Sequence, residues 1–206
     1  MARPLAALPK AHLHLHFTGA MRHPTLVELA ATRRVHLPDA LAAGGPPQLS
    51  GTDERGWFRF QRLYDIARSV LREPADVFRL LAETAADERA EGSGWLEIQV
   101  DPSGYAARFG GLTPTVELVL EAARRAGAAT GVGIGVIIAA NRTKHPLEAR
   151  TLAGPASSPP CGVSNSPARA AIRNAAANSC AAPRRSSLLS PNPITPRPAY
   201  LSLIHI

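Results

Sequence analysis

An α/β fold on a parallel sheet is predicted by three features of this 206-residue chain. Short apolar runs near residues 11–17, 95–100 and 131–140 alternate with longer segments of helical periodicity, the order of successive βα units. The last of these runs is apolar almost throughout, as a strand covered on both faces is. Composition agrees: 45% of residues are hydrophobic but only 5% aromatic, so the core is expected to be built from Ala, Val, Leu and Ile. A sheet of this kind is either open or closed into a barrel.

The first run, from about Ala11 to Phe17, reads as a strand and gives way at Gly19 to Pro24-Thr25-Leu26-Val27-Glu28-Leu29-Ala30-Ala31. That segment has helical apolar spacing with Pro in its first turn. Gly44-Gly45-Pro46-Pro47 marks a loop. Beyond it, Trp57, Phe58, Phe60, Leu63, Tyr64, Ile66, Ala67 and Val70 fall broadly on one side of a long helix, with Arg59, Arg62, Asp65 and Arg68 read as its solvated face. A helix over 74–91 leads through Gly92-Ser93-Gly94 to a strand over 95–100 that alternates polar and apolar residues. The loop at 110–114, with Thr113 as the expected cap, precedes a helix over 115–126. The run at 131–140 is expected as a buried parallel strand. Its Gly131-X-Gly133-X-Gly135 pattern lies in the strand rather than in a strand-to-helix turn, so close strand packing explains it better than phosphate binding.

Chemistry enters at Pro9-Lys10-Ala11-His12-Leu13-His14-Leu15-His16-Phe17-Thr18-Gly19-Ala20, which holds three of the seven histidines at every second position. On a regular strand His12, His14 and His16 point one way while Leu13, Leu15 and Phe17 point the other. Neighbouring imidazoles in such a row converge on one divalent ion, and neutral imidazole suits zinc and its neighbours. A bare His-X-His also arises on strands where the histidines are merely solvated, so the spacing alone leaves that alternative open.

Length admits one domain or part of a larger one. The formal charge of +7 suggests at first a nucleic-acid or membrane partner, but it is uneven. No Asp or Glu follows Glu148, and residues 154–206 hold five arginines without an acid, so +2 of the total belongs to the rest. Those arginines are not interleaved with aromatic residues, and Tyr200 alone is no stacking platform, so nucleic acid is not an expected partner. Cys161 and Cys180 have neither zinc-pair nor redox spacing. No secretory signal or bilayer-length apolar run is present, and a cytoplasmic protein is expected. From Gly154 the chain becomes rich in Pro, Ser, Ala and Arg. This composition buries too little apolar surface to offset chain ordering, so residues 154–206 are expected to be disordered apart from a short helix at Ala168 to Ala177.

Pro9-Lys10, His14-Leu15-His16, Gly19-Ala20 and Pro24-Thr25-Leu26-Val27-Glu28-Leu29 together resemble the opening block of the adenosine/AMP deaminase family, within the metal-dependent hydrolases. The resemblance continues around Phe60, through Trp95-Leu96-Glu97-Ile98-Gln99-Val100-Asp101-Pro102 and from Val136 to Arg142, and covers roughly residues 6–153. It implies a (β/α)8 barrel, of which this chain supplies about the first three βα units, and one zinc ion at the C-terminal ends of the strands. His14 and His16 match the family's first two metal ligands. His16 also matches a position that touches substrate. Thr18 stands where the family usually has an Asp that bonds the ribose, so the choice of sugar is expected to differ, since a hydroxyl carries no charge. His12 replaces a common Glu and is expected to be a supporting residue rather than a ligand.

The resemblance also implies a third His ligand, a Glu in a His-Ala-Gly-Glu block, a further His and an Asp pair. None occurs in this chain, so no catalytic residue is assigned here. Residues 1–153 are therefore read as the N-terminal part of a zinc-dependent deaminase of adenosine or a related aminopurine nucleoside. Residues 154–206 are read as out-of-frame sequence, with the terminal Leu201-Ser202-Leu203-Ile204-His205-Ile206 as a foreign addition, and the chain alone is expected to be inactive. The alternatives are an aminofutalosine-type deaminase or other amidohydrolase, and a non-catalytic product or basic interaction module.

Overall fold

The computed structural model describes residues 8–44, 54–141, 145–157 and 200–205. Strand β1 spans Lys10–His16 and is followed by a 3-10 turn at Thr18–Ala20 and helix α1, His23–Arg33. Pro24 sits in the first turn of α1, where its missing N–H costs no intrahelical bond. A short α2, Asp39–Ala42, precedes α3, Glu54–Ser69. Helix α4, Pro74–Ala90, starts in a reciprocal cap: the Glu73 side chain accepts from the N3 backbone, and Asp76 accepts from the Glu73 N–H at 2.9 Å. Strand β2 is Ser93–Val100, α5 is Leu112–Thr130, β3 is Gly133–Ala140 and α6 is Pro146–Ser157. Among the described residues no helix is long and apolar enough to cross a membrane.

With a further strand β4 at Tyr200–His205, the strands form one parallel sheet in the order β1-β2-β3-β4, the crossover connections carrying the helices. Leu96, Ile98 and Val100 of β2 and Ile134, Val136, Ile138 and Ala140 of β3 are buried against α4 and α5, whose Val77, Leu80, Leu81, Val116, Val119 and Ala123 complete the core. The opposite face carries Trp95, Glu97 and Gln99 beside Gly133, Gly135 and Ile137 in matching register. A Cβ built at Gly133 would lie 2.5 Å from Trp95 Cε3, and one at Gly135 3.1 Å from Trp95 Cζ2. Gly133 and Gly135 are therefore a bed for the Trp95 ring, as close strand packing predicts, while Gly131 closes α5 in the left-handed region at φ 75°.

Two expectations are corrected. Helix α5 is capped by Gly111, whose φ of 124° only glycine adopts readily, not by Thr113; no side chain accepts at that cap, and the Thr115 hydroxyl turns back to the Gly111 carbonyl at 2.7 Å. Arg68 is not a solvated residue of α3. It is 22% exposed, ion-paired with Asp65, and its guanidinium lies 5.9 Å from the ring centroids of both Tyr64 and Tyr105. Of residues 154–206, Tyr200–His205 runs alongside β3 as β4, from Gly135↔Tyr200 to Ala140↔His205. An apolar, strand-prone run meets the row of backbone donors and acceptors that β3 otherwise leaves bare. The helix expected at Ala168 to Ala177 lies outside the described residues.

Candidate metal centre

Strand β1 is not regular. His12 pairs with Leu96 and Leu15 with Ile98, so Leu13 and His14 together oppose the single residue Glu97. This is a β-bulge, and it is made by His14, which adopts φ 63°, the left-handed region that a residue with a Cβ enters at a cost of roughly 1–2 kcal/mol. The bulge overturns the expected common face of three histidines. His12 falls in step with Leu96 on the helix side, where its Nδ1 donates to Glu88 Oε1 of α4 at 2.6 Å. Leu15 follows in step with Ile98 and packs against the core. His14 and His16 are left together: both are exposed, and their rings meet edge to face with centroids 5.2 Å apart and an interplanar angle of 76°. His16 ends the strand, so the pair stands at the C-terminal edge of the sheet.

Electrostatics favour the neutral ligand form at His16. Partial burial of the ring, and then repulsion from a charged His14, lower its pKa below the ordinary histidine value. Thr18, two residues on, is 3% exposed, and its hydroxyl is hydrogen-bonded to that of Tyr105, in the loop after β2. Tyr105 is itself buried, edge-on to Phe17 and stacked with Phe109, and burial raises its phenol pKa far above the usual value. The structure thus brings His14 and His16 together and holds the Thr18 hydroxyl on a different partner.

Sequence reasoning missed two neighbours. Tyr105 carried no signal beyond being an aromatic residue after a predicted strand. Gln99 carried one: it is a polar residue between Ile98 and Val100 in a buried strand. It is 3% exposed, in register with His16, and its Oε1 has no hydrogen-bond partner among the described residues.

The donor set suits a borderline divalent ion. Two imidazoles in contact match zinc's preference for nitrogen, while the left-handed backbone at His14 is a strain that persists only where its surroundings impose it. The set is also partial, since no group of three or more His, Cys, Asp or Glu able to hold a metal occurs among the described residues. Neither the Gly131–Gly135 segment nor His145 competes for this role. Gly133 and Gly135 of the former cradle Trp95, and His145 Nδ1 accepts from the Leu147 N–H at 3.2 Å in the first turn of α6.

A parallel βα sheet with a histidine pair at the end of its first strand defines an α/β protein of the barrel-forming class. More particularly, the chain belongs to the adenosine deaminase family, whose model matches residues 9–158. A Streptomyces virginiae protein named "Putative adenosine/adenine deaminase" is 64% identical over 152 residues, covering 74% of this chain and 45% of that protein. One of the same name from Streptomyces coelicolor is 58% identical over 155 residues, covering 73% and 45%. The chain therefore spans about half the length of these relatives. Among solved structures, an amidohydrolase from Burkholderia ambifaria with bound zinc superposes with a TM-score of 0.59 at 24% identity, over 73% of this chain and 41% of that one. An adenine deaminase from Arthrobacter aurescens superposes with a TM-score of 0.55 at 22% identity, over 84% and 55%. These two likenesses establish the fold, that of the barrel deaminases, of which β1, β2 and β3 are the opening strands.

Proposed function

We propose that this chain is the N-terminal part of a zinc-dependent hydrolase that removes the exocyclic amino group of adenosine or a related aminopurine. The observation that carries the reading is the edge contact of the His14 and His16 rings at the C-terminal edge of the sheet, produced by a bulge that separates them from His12. The names of the Streptomyces relatives support the substrate class. In the reaction, water adds at C6 of the purine, ammonia leaves, and inosine remains when adenosine is the substrate. Zinc, when bound, supplies Lewis-acid activation of the attacking water near neutral pH.

This chain's own residues hold and shape the site. His14 and His16 are two of the ligands, and the lowered pKa of His16 keeps it ready to coordinate as pH falls. His16 also borders the substrate. Thr18 lies beside it, and a ligand that uses the Thr18 hydroxyl has to share or displace the bond to Tyr105. An uncharged residue there weakens selection for a plain ribose hydroxyl, so a nucleobase or an altered nucleoside is accepted more readily.

Zinc titration tests the reading. The 206-residue chain is expected to bind one zinc ion weakly, as two imidazoles do, with His14→Ala and His16→Ala each losing the binding. Undiminished zinc binding in both variants would remove the basis of the proposal.

A further inference from the structure

Among the described residues, Gln99 is the one buried side-chain acceptor beside the histidine pair without a partner. Its environment narrows what that partner is. Alternation along β2 sends Leu96, Ile98 and Val100 into the helix-facing core and Gln99 to the other face. On that face its register neighbours are Ile137 of β3, which offers no polar atom, and His16 of β1, which offers a ring N–H. The Gln99 backbone carbonyl is already engaged, accepting from the Phe17 N–H at 2.8 Å directly after His16. This bond pins the two residues side by side. The His16 ring, for its part, makes the edge contact with His14 and no hydrogen bond among the described residues. An orphaned acceptor and an orphaned donor thus occupy adjacent positions of one strand pair, and leaving such an oxygen buried and unpaired is unfavourable.

We propose that Gln99 is a positioning residue for the metal site: its side-chain carbonyl accepts the N–H of the His16 ring nitrogen that does not face the metal. This inference rests on the zinc reading of His14 and His16. A ligating imidazole has one nitrogen on the ion and one N–H to place, and an acceptor behind it fixes the tautomer and the ring orientation. The amide oxygen of Gln99 does this without adding charge, so it orients His16 while leaving the neutral character of the donor set intact.

The test is calorimetric titration of zinc chloride into the 206-residue chain and four variants: Gln99→Met, Gln99→Glu, His14→Ala and His16→Ala. Gln99→Met keeps the length of the side chain and removes the acceptor, and it is expected to weaken zinc binding roughly 10- to 100-fold. Gln99→Glu keeps an acceptor and is expected to bind at least as tightly as the parent chain. Long-range proton–nitrogen correlation of the zinc-loaded chain should show His16 in a single tautomer, and the Met variant should show a mixture. A Met variant that binds zinc within twofold of the parent, while the two histidine variants do not bind, overturns the role of Gln99 and spares the metal site. If the histidine variants bind as the parent does, the zinc reading itself fails and this inference goes with it. Should Gln99→Met not fold, the Glu variant decides: a tenfold loss there, with its acceptor retained, also refutes the role.

Discussion

At the scale of single residues, the site depends on groups whose polar atoms are unusually constrained. Thr18 and Tyr105 share one buried hydrogen bond, so removing either hydroxyl strands the other. Tyr105→Phe is expected to cost about 1–3 kcal/mol in urea denaturation, and the double variant with Thr18→Val less than the sum of the two singles. The pH dependence has a definite sign. Burial raises the folded-state pKa of the Tyr105 phenol above its ordinary value of 10.0, so the folded chain keeps a proton that the unfolded chain gives up. That contribution is fully present below the unfolded value and is lost as pH rises through it toward the folded one. The urea midpoint of the parent chain should therefore fall between about pH 9 and about pH 11, and the fall should be smaller in Tyr105→Phe.

At the scale of elements, most of the fold was legible because hydrophobic periodicity reports burial directly. The helix expected over 74–91 appears as Pro74–Ala90 and the strand over 95–100 as Ser93–Val100, each bounded by Pro or Gly. The inner side of the sheet was less legible, since it is set by pairs from different strands. Three histidines at even spacing gave no hint that one of them leaves the row, because a bulge is a property of two strands in register and not of one sequence segment. The Gly131–Gly135 pattern was legible only as packing; its partner, Trp95, lies 38 and 40 residues away from the two glycines it covers. Gly133→Ala should force that ring aside, at a cost of roughly 1–3 kcal/mol and with a shift in tryptophan fluorescence. Trp95→Leu should make the same alanine nearly neutral. If Gly133→Ala is equally costly in both backgrounds, the strand backbone rather than the ring requires glycine there.

At the scale of the whole molecule, the described sheet is unclosed. Parallel sheets are covered on both faces, yet β1 is an edge strand whose residues are almost all exposed, and Leu13 at 61%, Trp57 at 56%, Phe58 at 63% and Leu147 at 60% stand out as uncovered apolar groups. The first turns of α3 show what this does to an element. Trp57, Phe60 and Tyr64 line one side of the helix, their rings tilted to one another with centroid separations of 5.7 and 6.2 Å, while Trp57 and Phe58 remain exposed, so the apolar stripe read from the sequence is real but only its later part is buried. The candidate metal centre shares this condition, since the two imidazoles at the end of an edge strand would supply only half of the ligands that a four-coordinate zinc takes. We propose that activity belongs to a larger assembly of strands than the one described; the relatives of which this chain covers 45% support that reading. The purified 206-residue chain, supplied with zinc and adenosine, is accordingly expected to show no conversion to inosine by ultraviolet difference spectroscopy. The decisive control is His14→Ala. Turnover that persists in that variant belongs to a contaminant, whereas turnover present in the parent chain and absent from the variant would mean that two histidines and a partial sheet suffice.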